Sequence, residues 1–164
     1  MAARDMLFIG VALFSLGLAL YVGYYLSNTA ANALLAEEQL NYSSEVRESF
    51  QSIKTQSARF DYIFFIIFIA LVLSLIITGF LARTHPVFAF LYILVIILAV
   101  IVSMVLANTW ETVSRNATFG ANYENFRITD HILSNMPVYM AIIGGIGLFV
   151  VFAKPFLEGG GQYE

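Results

Sequence analysis

The stretch 80-FLARTHPVFAF-90 joins two long apolar segments and indicates how often the chain can cross a membrane. No charged residue occurs in 62–82, and after Arg83 none occurs until Glu111. Each flanking segment can span a bilayer alone, since a spanning helix needs about 20 apolar residues. Pro86 suits the first turn of a new helix, and the residue before a proline disfavours helical angles. The stretch therefore predicts a tight hairpin at one membrane face, with Arg83 as an anchor among the headgroups.

The composition is typical of a chain that is immersed in lipid. Of its 164 residues, 60% are hydrophobic and 12% are charged, whereas soluble domains have about 25% charged residues. The mean hydropathy is +0.81. Because a water-soluble fold of this length could not bury so much apolar surface, lipid must be part of its solvent.

The charge and the cysteine content exclude several classes of function. The net charge is −3, without a basic cluster, so we expect no nucleic-acid partner. The chain has no cysteine, which excludes disulfides, thiolate chemistry and cysteine-bound metals.

Four segments are predicted to span the membrane, namely 6–26, 62–82, 86–107 and 137–153. The first is longer than the core of a signal peptide, which is about 7–15 residues, so we expect an uncleaved transmembrane helix. The fourth is shorter, and a re-entrant or interfacial segment is its alternative. We predict an all-α integral membrane protein, a single domain whose four transmembrane helices form a bundle.

The loop 27–61 contains a predicted amphipathic helical extension before the second span. Val46, Phe50, Ile53 and Phe60 follow a spacing of three to four residues, apart from one gap. We expect this helix to run straight into the second span and to protrude from the bilayer, with these four residues as a partner-docking face. An interfacial helix lying on the headgroups is the alternative.

The loop 108–136 lies on the same side of the membrane as 27–61. Thr129 or Asp130 is predicted to cap a helix that leads into the last span. A second possible start of this helix is the stretch Asn135-Met136-Pro137. We expect an ordered excursion that packs on the helix within 37–61. The tail 157–164 is rich in glycine and predicted to be flexible.

Four spans place both termini and the Arg83 turn on one side. The number of Lys and Arg residues favours the two long loops on the cytoplasmic side. Their density per residue instead favours the termini on the cytoplasmic or interior side, and we adopt this orientation. Rings and cations near the span ends are predicted interface anchors. These are Tyr24, Tyr25, Tyr62, Arg83, Trp110, Tyr139 and Lys154.

Every predicted span carries small residues at intervals of four, which let two helix backbones approach closely. These helix-packing candidates are Ser15, Ala19, Gly23, Ala70, Ser74, Thr78, Ala82, Ala99, Ser103, Ala107, Ala141 and Gly145. We expect these stripes to pack the spans into one bundle. The alternative is that some stripes face other subunits.

The predicted spans contain no charged residue, whereas pumps, proton relays and voltage sensors need ionisable groups there. No catalytic or metal-binding motif occurs, so we expect a non-enzyme without a cofactor. The favoured hypothesis is a structural or assembly subunit of a larger membrane complex, such as a virion membrane or a secretion or respiratory assembly. Its partners would be the lipid bilayer and other membrane or virion subunits, including copies of itself. An oligomeric, holin-like pore-former is the alternative, and a small transporter is less favoured.

Overall fold

The computed structural model describes residues 2–36, 44–57, 59–81, 88–116 and 125–157, and this part of the chain contains helices and no strand. The helices are α1 (Ala2–Ala36), α2 (Ser44–Ser57), α3 (Phe60–Leu81), α4 (Phe88–Ser114), α5 (Arg127–Ser134) and α6 (Met136–Leu157). Three helical runs are long and apolar enough to cross a membrane, and a fourth is obtained if the bent pair α5–α6 counts as one span. The predicted turn at Arg83 and the tail beyond Leu157 lie outside the described residues.

Helix α1 continues well past Leu26, where the first span was predicted to end, and reaches Ala36. No glycine or proline interrupts the sequence between Tyr24 and Thr78, and the end of α1 is rich in the strong helix formers alanine and leucine. Helix α2 packs along this part of α1, where Lys54 Nζ donates to Asn32 Oδ1 over 2.8 Å. Much of the predicted 27–61 loop is therefore a helical hairpin.

Helices α2 and α3 follow each other almost without interruption. The backbone N–H of Arg59 donates to Gln56 over 3.0 Å, and that of Ile63 donates to Arg59 over 3.1 Å. Ser44–Thr78 satisfies the length and hydropathy of a single 35-residue span. The amphipathic helical segment thus directly precedes the second apolar segment, as predicted.

The four long apolar helices α1, α3, α4 and α6 pack around one core. The main contacts join α1 to α3, α3 to α6, α6 to α4, and α4 to α1, so α3 and α4 lie across the bundle although they are consecutive in the chain. Large buried core side chains include Met6, Leu13, Tyr21, Phe64, Trp110 and Leu133. The outward faces carry exposed apolar side chains, among them Phe8, Ile66, Phe90 and Phe149. Such helices suit apolar surroundings.

The fourth predicted span, 137–153, lies within α6, and α5 meets α6 at an angle of 70° directly before it. Asn135 lies at the break, and its Nδ2 donates to the carbonyl of His131 over 2.8 Å. Helix α6 begins at Met136, the second of the two predicted starts. Helix α5 packs mainly on α4 and α3, and it meets the segment 37–61 at Asp61, in the first turn of α3. Its packing on α4 and α3 follows from its apolar face, since Ile132 and Leu133 are buried in the bundle core.

Candidate functional site

The carboxylate of Asp61 is buried between two helix beginnings. Asp61 belongs to the first turn of α3 and contacts the first turn of α5. Only 6% of Asp61 is exposed. Its Oδ2 accepts the backbone N–H of Ile128 at 3.0 Å, and its Oδ1 accepts the N–H and the hydroxyl of Thr129, each at 2.7 Å. The negative charge therefore lies at the positive ends of two helix dipoles and compensates both.

These hydrogen bonds form an N-cap that is supplied by a distant part of the chain. Helix α5 has Phe126 at its N-cap position, without a side-chain hydrogen bond there. Phenylalanine has no acceptor, so the free N–H groups of the first turn need another partner. Asp61 provides it. The predicted local cap by Thr129 or Asp130 is wrong, because both residues lie inside α5.

A second carboxylate, Asp130, links α5 to α4. Its Oδ1 accepts the indole Nε1–H of Trp110 at 2.9 Å and the hydroxyl of Ser134 at 3.1 Å. Trp110 is fully buried, and a buried indole N–H needs such an acceptor. Neighbouring residues of α5 thus bind two different helices of the bundle, with Ile128 and Thr129 on α3 and Asp130 on α4.

Aromatic rings complete this region. Tyr21 packs edge-on against Trp110 and Phe126, with both ring centroids 5.2 Å away. Tyr24 contacts Phe126 in the same way, and its hydroxyl accepts a hydrogen bond from Asn125 Nδ2 over 2.9 Å. We call the set Tyr21, Tyr24, Asp61, Trp110, Phe126, Thr129 and Asp130 the loop-side cluster.

Close packing between α1 and α5 holds the cluster together. A methyl group at Gly17 would lie 2.7 Å from Leu133 Cδ1, 3.1 Å from a Phe64 ring carbon and 3.4 Å from Thr129 Cγ2. A methyl group at Gly17 would therefore require the Leu133 side chain to shift, beside the Asp61 hydrogen bonds.

The hydrogen bonds of the loop-side cluster join α5 to α3 and α4. Both carboxylate oxygens of Asp61 accept hydrogen bonds from donors of α5. Such charge-assisted hydrogen bonds are about twice as strong as neutral ones. Among the described residues, no three His, Asp or Glu side chains are grouped so that they could hold a metal ion. His131 is exposed, and its ring lies 6.2 Å from that of Tyr139.

Two of the predicted interface anchors belong to the loop-side cluster. Trp110 and Tyr24 are buried inside the chain and do not face headgroups. Tyr62 is 63% exposed and points outward, while Tyr25 and Tyr139 are half-buried. The side chains of Arg83 and Lys154 lie outside the described part.

The predicted small-residue stripes fall into two groups. Ala99, Ser103 and Ala107 of α4 are buried. The other stripes lie largely on exposed faces of α1, α3 and α6, at Ser15, Ala19, Ala70, Ser74, Thr78, Ala141 and Gly145. Gly23 is half-buried near the Phe60 ring, and the side chain of Ala82 is not described. The packing of all four stripes inside one bundle therefore does not occur in this fold, because bulky side chains such as Leu13 and Phe64 fill the core instead.

The predicted docking residues differ in exposure. Ile53 is 43% exposed, whereas Val46 and Phe50 are half-buried. Phe60 packs against the apolar core and belongs to the bundle.

Sequence reasoning assigned no role to Asp61 or to Gly17. A signal was present, since Asp61 is the charge that directly precedes the apolar run 62–82. Its partner, however, lies 67 residues away in the sequence, and no local pattern indicates that pairing.

Comparison with known protein families, with characterised proteins and with solved structures finds no match.

Proposed function

We propose that the chain is a structural and assembly subunit that crosses a membrane four times and presents a helical layer on one side to a partner protein. The crossings are α1, α3, α4 and α6, and α5 lies at the entry to the last crossing. The presented layer consists of the end of α1, α2 and α5.

The projection of α1 and α2 carries this proposal. Helix α1 has 35 residues, which is about 52 Å at 1.5 Å per residue, whereas the hydrocarbon core of a bilayer is about 30 Å thick. Since the core contacts of α1 begin at Met6, the excess length lies at its other end. There α2 packs beside α1 and the two form a hairpin. A helical hairpin that serves only to connect two spans would not need this length.

The loop-side cluster supports the same proposal. It ties α5 to α3 through Asp61 and to α4 through Asp130. Helix α5 is thus held rigidly at the base of the hairpin, with Arg127 and His131 exposed. Rigid elements that carry exposed side chains lower the entropic cost of binding a partner.

The test is purification of the full chain from its native membrane in mild detergent, followed by mass spectrometry of the proteins that co-elute. We expect a foreign protein in stoichiometric amount. The variant Ile53→Asp places a charge on the exposed apolar position of α2 and should release that partner. Gln51→Asp places the same charge on the opposite face of α2, where Gln51 is exposed, and should retain it.

A purified homo-oligomer without any foreign protein would contradict the assembly role. It would favour the alternative function, an oligomeric pore-former. The observation that supports this alternative is the exposure of small residues on α1, α3 and α6, which allow helices of neighbouring chains to approach closely. Dye release from liposomes at high protein loading is then the decisive measurement, since a pore-former must release the dye.

A further inference from the structure

A cavity of about 170 Å³ lies between the beginning of α1 and the last turns of α3, far from the loop-side cluster. It is lined by Asp5, Ile9, Ser74, Leu75 and Thr78. The cavity is open on the side of Ser74 and Thr78, which are both exposed. Its volume is similar to the roughly 150 Å³ that holds a benzene molecule in an enclosed protein cavity, so a small organic group can enter it.

Three polar side chains converge on this cavity in a region that is otherwise apolar. Asp5 is half-buried, and in the part of the chain that the structure describes it has no ion-pair or hydrogen-bond partner. The hydroxyl of Thr78 donates to the carbonyl of Ser74 over 2.7 Å, which leaves its oxygen lone pairs as acceptors. The hydroxyl of Ser74 lies one turn earlier on the same wall. The polar wall thus offers one negative charge and two hydroxyl oxygens.

This chemistry selects a cation, and the size of the cavity selects an organic one. Calcium takes about 6–8 oxygen ligands and magnesium about six, more than one carboxylate and two hydroxyls supply. An ammonium group needs only a few acceptors and one counter-charge. Ile9 and Leu75 provide apolar walls for the methylene groups next to it. We propose that the Asp5 cavity binds an organic ammonium group, carried by an amine-bearing phospholipid headgroup or by a free organic cation.

The position of the cavity in the bundle suits a headgroup. Thr78 precedes the end of α3 at Leu81 by three residues, which is about 5 Å along the helix axis. If α3 crosses the bilayer, the cavity lies just inside the boundary between hydrocarbon and headgroups. This placement rests on the membrane embedding proposed above, but it does not depend on an assembly partner.

The test uses native mass spectrometry of the full chain in detergent, titrated with phosphatidylethanolamine or with phosphatidylglycerol of the same acyl chains. We expect phosphatidylethanolamine to bind about tenfold more tightly, because only its headgroup carries the ammonium. Asp5→Asn, which removes the charge and keeps the shape, should abolish this preference. Glu45→Gln removes an exposed charge on α2 and should leave it intact.

A second pair of variants tests the cavity itself. Ser74→Leu fills the cavity and should also abolish the preference, whereas Ser15→Leu changes an exposed serine of α1 outside the cavity and should not. Free ethanolamine is then added to the wild type in detergent, with the thermal midpoint as readout. A rise in the midpoint that Asp5→Asn abolishes identifies a free organic cation as a ligand, and a lipid preference without such a rise identifies the headgroup.

Equal binding of the two lipids by the wild type, together with no effect of ethanolamine, would overturn the proposal. A lipid preference that survives in Asp5→Asn would overturn it as well. Extraction of the chain from its native membrane by alkaline carbonate would instead overturn the membrane embedding. The ethanolamine measurement is made in detergent and does not depend on that embedding.

Discussion

At the scale of single residues, Asp61 joins two helices, because its carboxylate in the first turn of α3 accepts hydrogen bonds from the first turn of α5. Asp61→Ala would leave the N–H groups of Ile128 and Thr129 buried without an acceptor. We expect the free energy of unfolding to fall by about 3–5 kcal/mol. Thermal unfolding in mild detergent measures this loss.

Two further variants make the Asp61 prediction specific. Asp61→Asn keeps one acceptor oxygen and should lose less stability than Asp61→Ala. Glu111→Gln removes one partner of the exposed ion pair with Arg115, 3.6 Å apart, and should change the free energy by less than about 1 kcal/mol. Equal stability of Asp61→Ala and Glu111→Gln would show that the carboxylate does not hold α5.

Gly147 and Gly145 form a natural matched pair on α6. A methyl group at Gly147 would collide with the hydroxyl of Tyr92, whereas one at Gly145 would meet nothing within 4 Å. We expect Gly147→Ala to destabilise the fold by about 1–3 kcal/mol and Gly145→Ala to be neutral or slightly stabilising. Chemical or thermal unfolding of the two variants side by side checks this difference.

Tyr92 provides the rescue experiment for Gly147→Ala. Its hydroxyl is buried and has no hydrogen-bond partner among the described residues. Tyr92→Phe removes the colliding atom without breaking a hydrogen bond, so it should be neutral or stabilising alone and should restore most of the stability lost in Gly147→Ala. If the stability changes of Gly147→Ala and Tyr92→Phe simply add in the double variant, the loss in Gly147→Ala does not come from a collision with Tyr92, since contacting residues are expected to couple.

At the scale of helices, the four small-residue stripes have different roles, although their sequences look alike. Ser103 on α4 is buried, with 1% exposed, and donates to the carbonyl of Val100 over 2.7 Å. Ser15 on α1 is exposed. Ser103→Leu should therefore overfill the core and cost about 1–3 kcal/mol, whereas Ser15→Leu should leave the stability of the single chain unchanged.

The same pair separates packing within the chain from assembly between chains. Thermal unfolding reports the first, and size-exclusion chromatography with light scattering reports the second. If Ser15→Leu reduces the oligomer size without changing the thermal midpoint, the exposed stripe of α1 lies at an interface between subunits. A lower thermal midpoint for Ser15→Leu than for Ser103→Leu would contradict the packing described above.

The break between α5 and α6 also belongs to the scale of helices. Helix α5 is held by contacts with α3 and α4 at its beginning, and α6 packs mainly on α4 and α3. Asn135 joins them and satisfies the carbonyl of His131 at the end of α5. Pro137 follows two residues later and has no N–H to donate to the carbonyl of Leu133, so the helical hydrogen bonds of α5 cannot continue into α6 and the 70° bend falls at this point.

At the scale of the whole molecule, the proposed four crossings place α2 and α5 on the same side of the membrane. The chain has no cysteine, so single engineered cysteines report their own position. Ile53→Cys and Arg127→Cys, both exposed in the structure, should react with a membrane-impermeant maleimide from one and the same side. Phe149→Cys, exposed on the apolar surface of α6, should stay unlabelled from either side. Labelling of Ile53→Cys and Arg127→Cys from opposite sides would exclude four crossings.

The sequence by itself determined that the described part of the chain is helical, with several helices long and apolar enough to cross a membrane. Long apolar runs, few charges and the absence of glycine and proline from Tyr24 to Thr78 dictate long helices, because these signals are local and act through hydropathy and backbone preference. The amphipathic segment before the second span and the start of α6 at Met136 follow from the same local rules.

Only the tertiary structure decided which faces of those helices are buried and which charge serves as a cap. Asp61 and Thr129 are 68 residues apart in the sequence, and the outward stripe of α1 has the same spacing of small residues as the inward stripe of α4. In helices that are apolar all round, hydropathy does not distinguish a face that meets a neighbouring helix from one that meets lipid. Which face is buried depends on how particular side chains fit, such as Leu133 against Gly17 and Tyr92 against Gly147. Close packing depends on matching surfaces and not on composition.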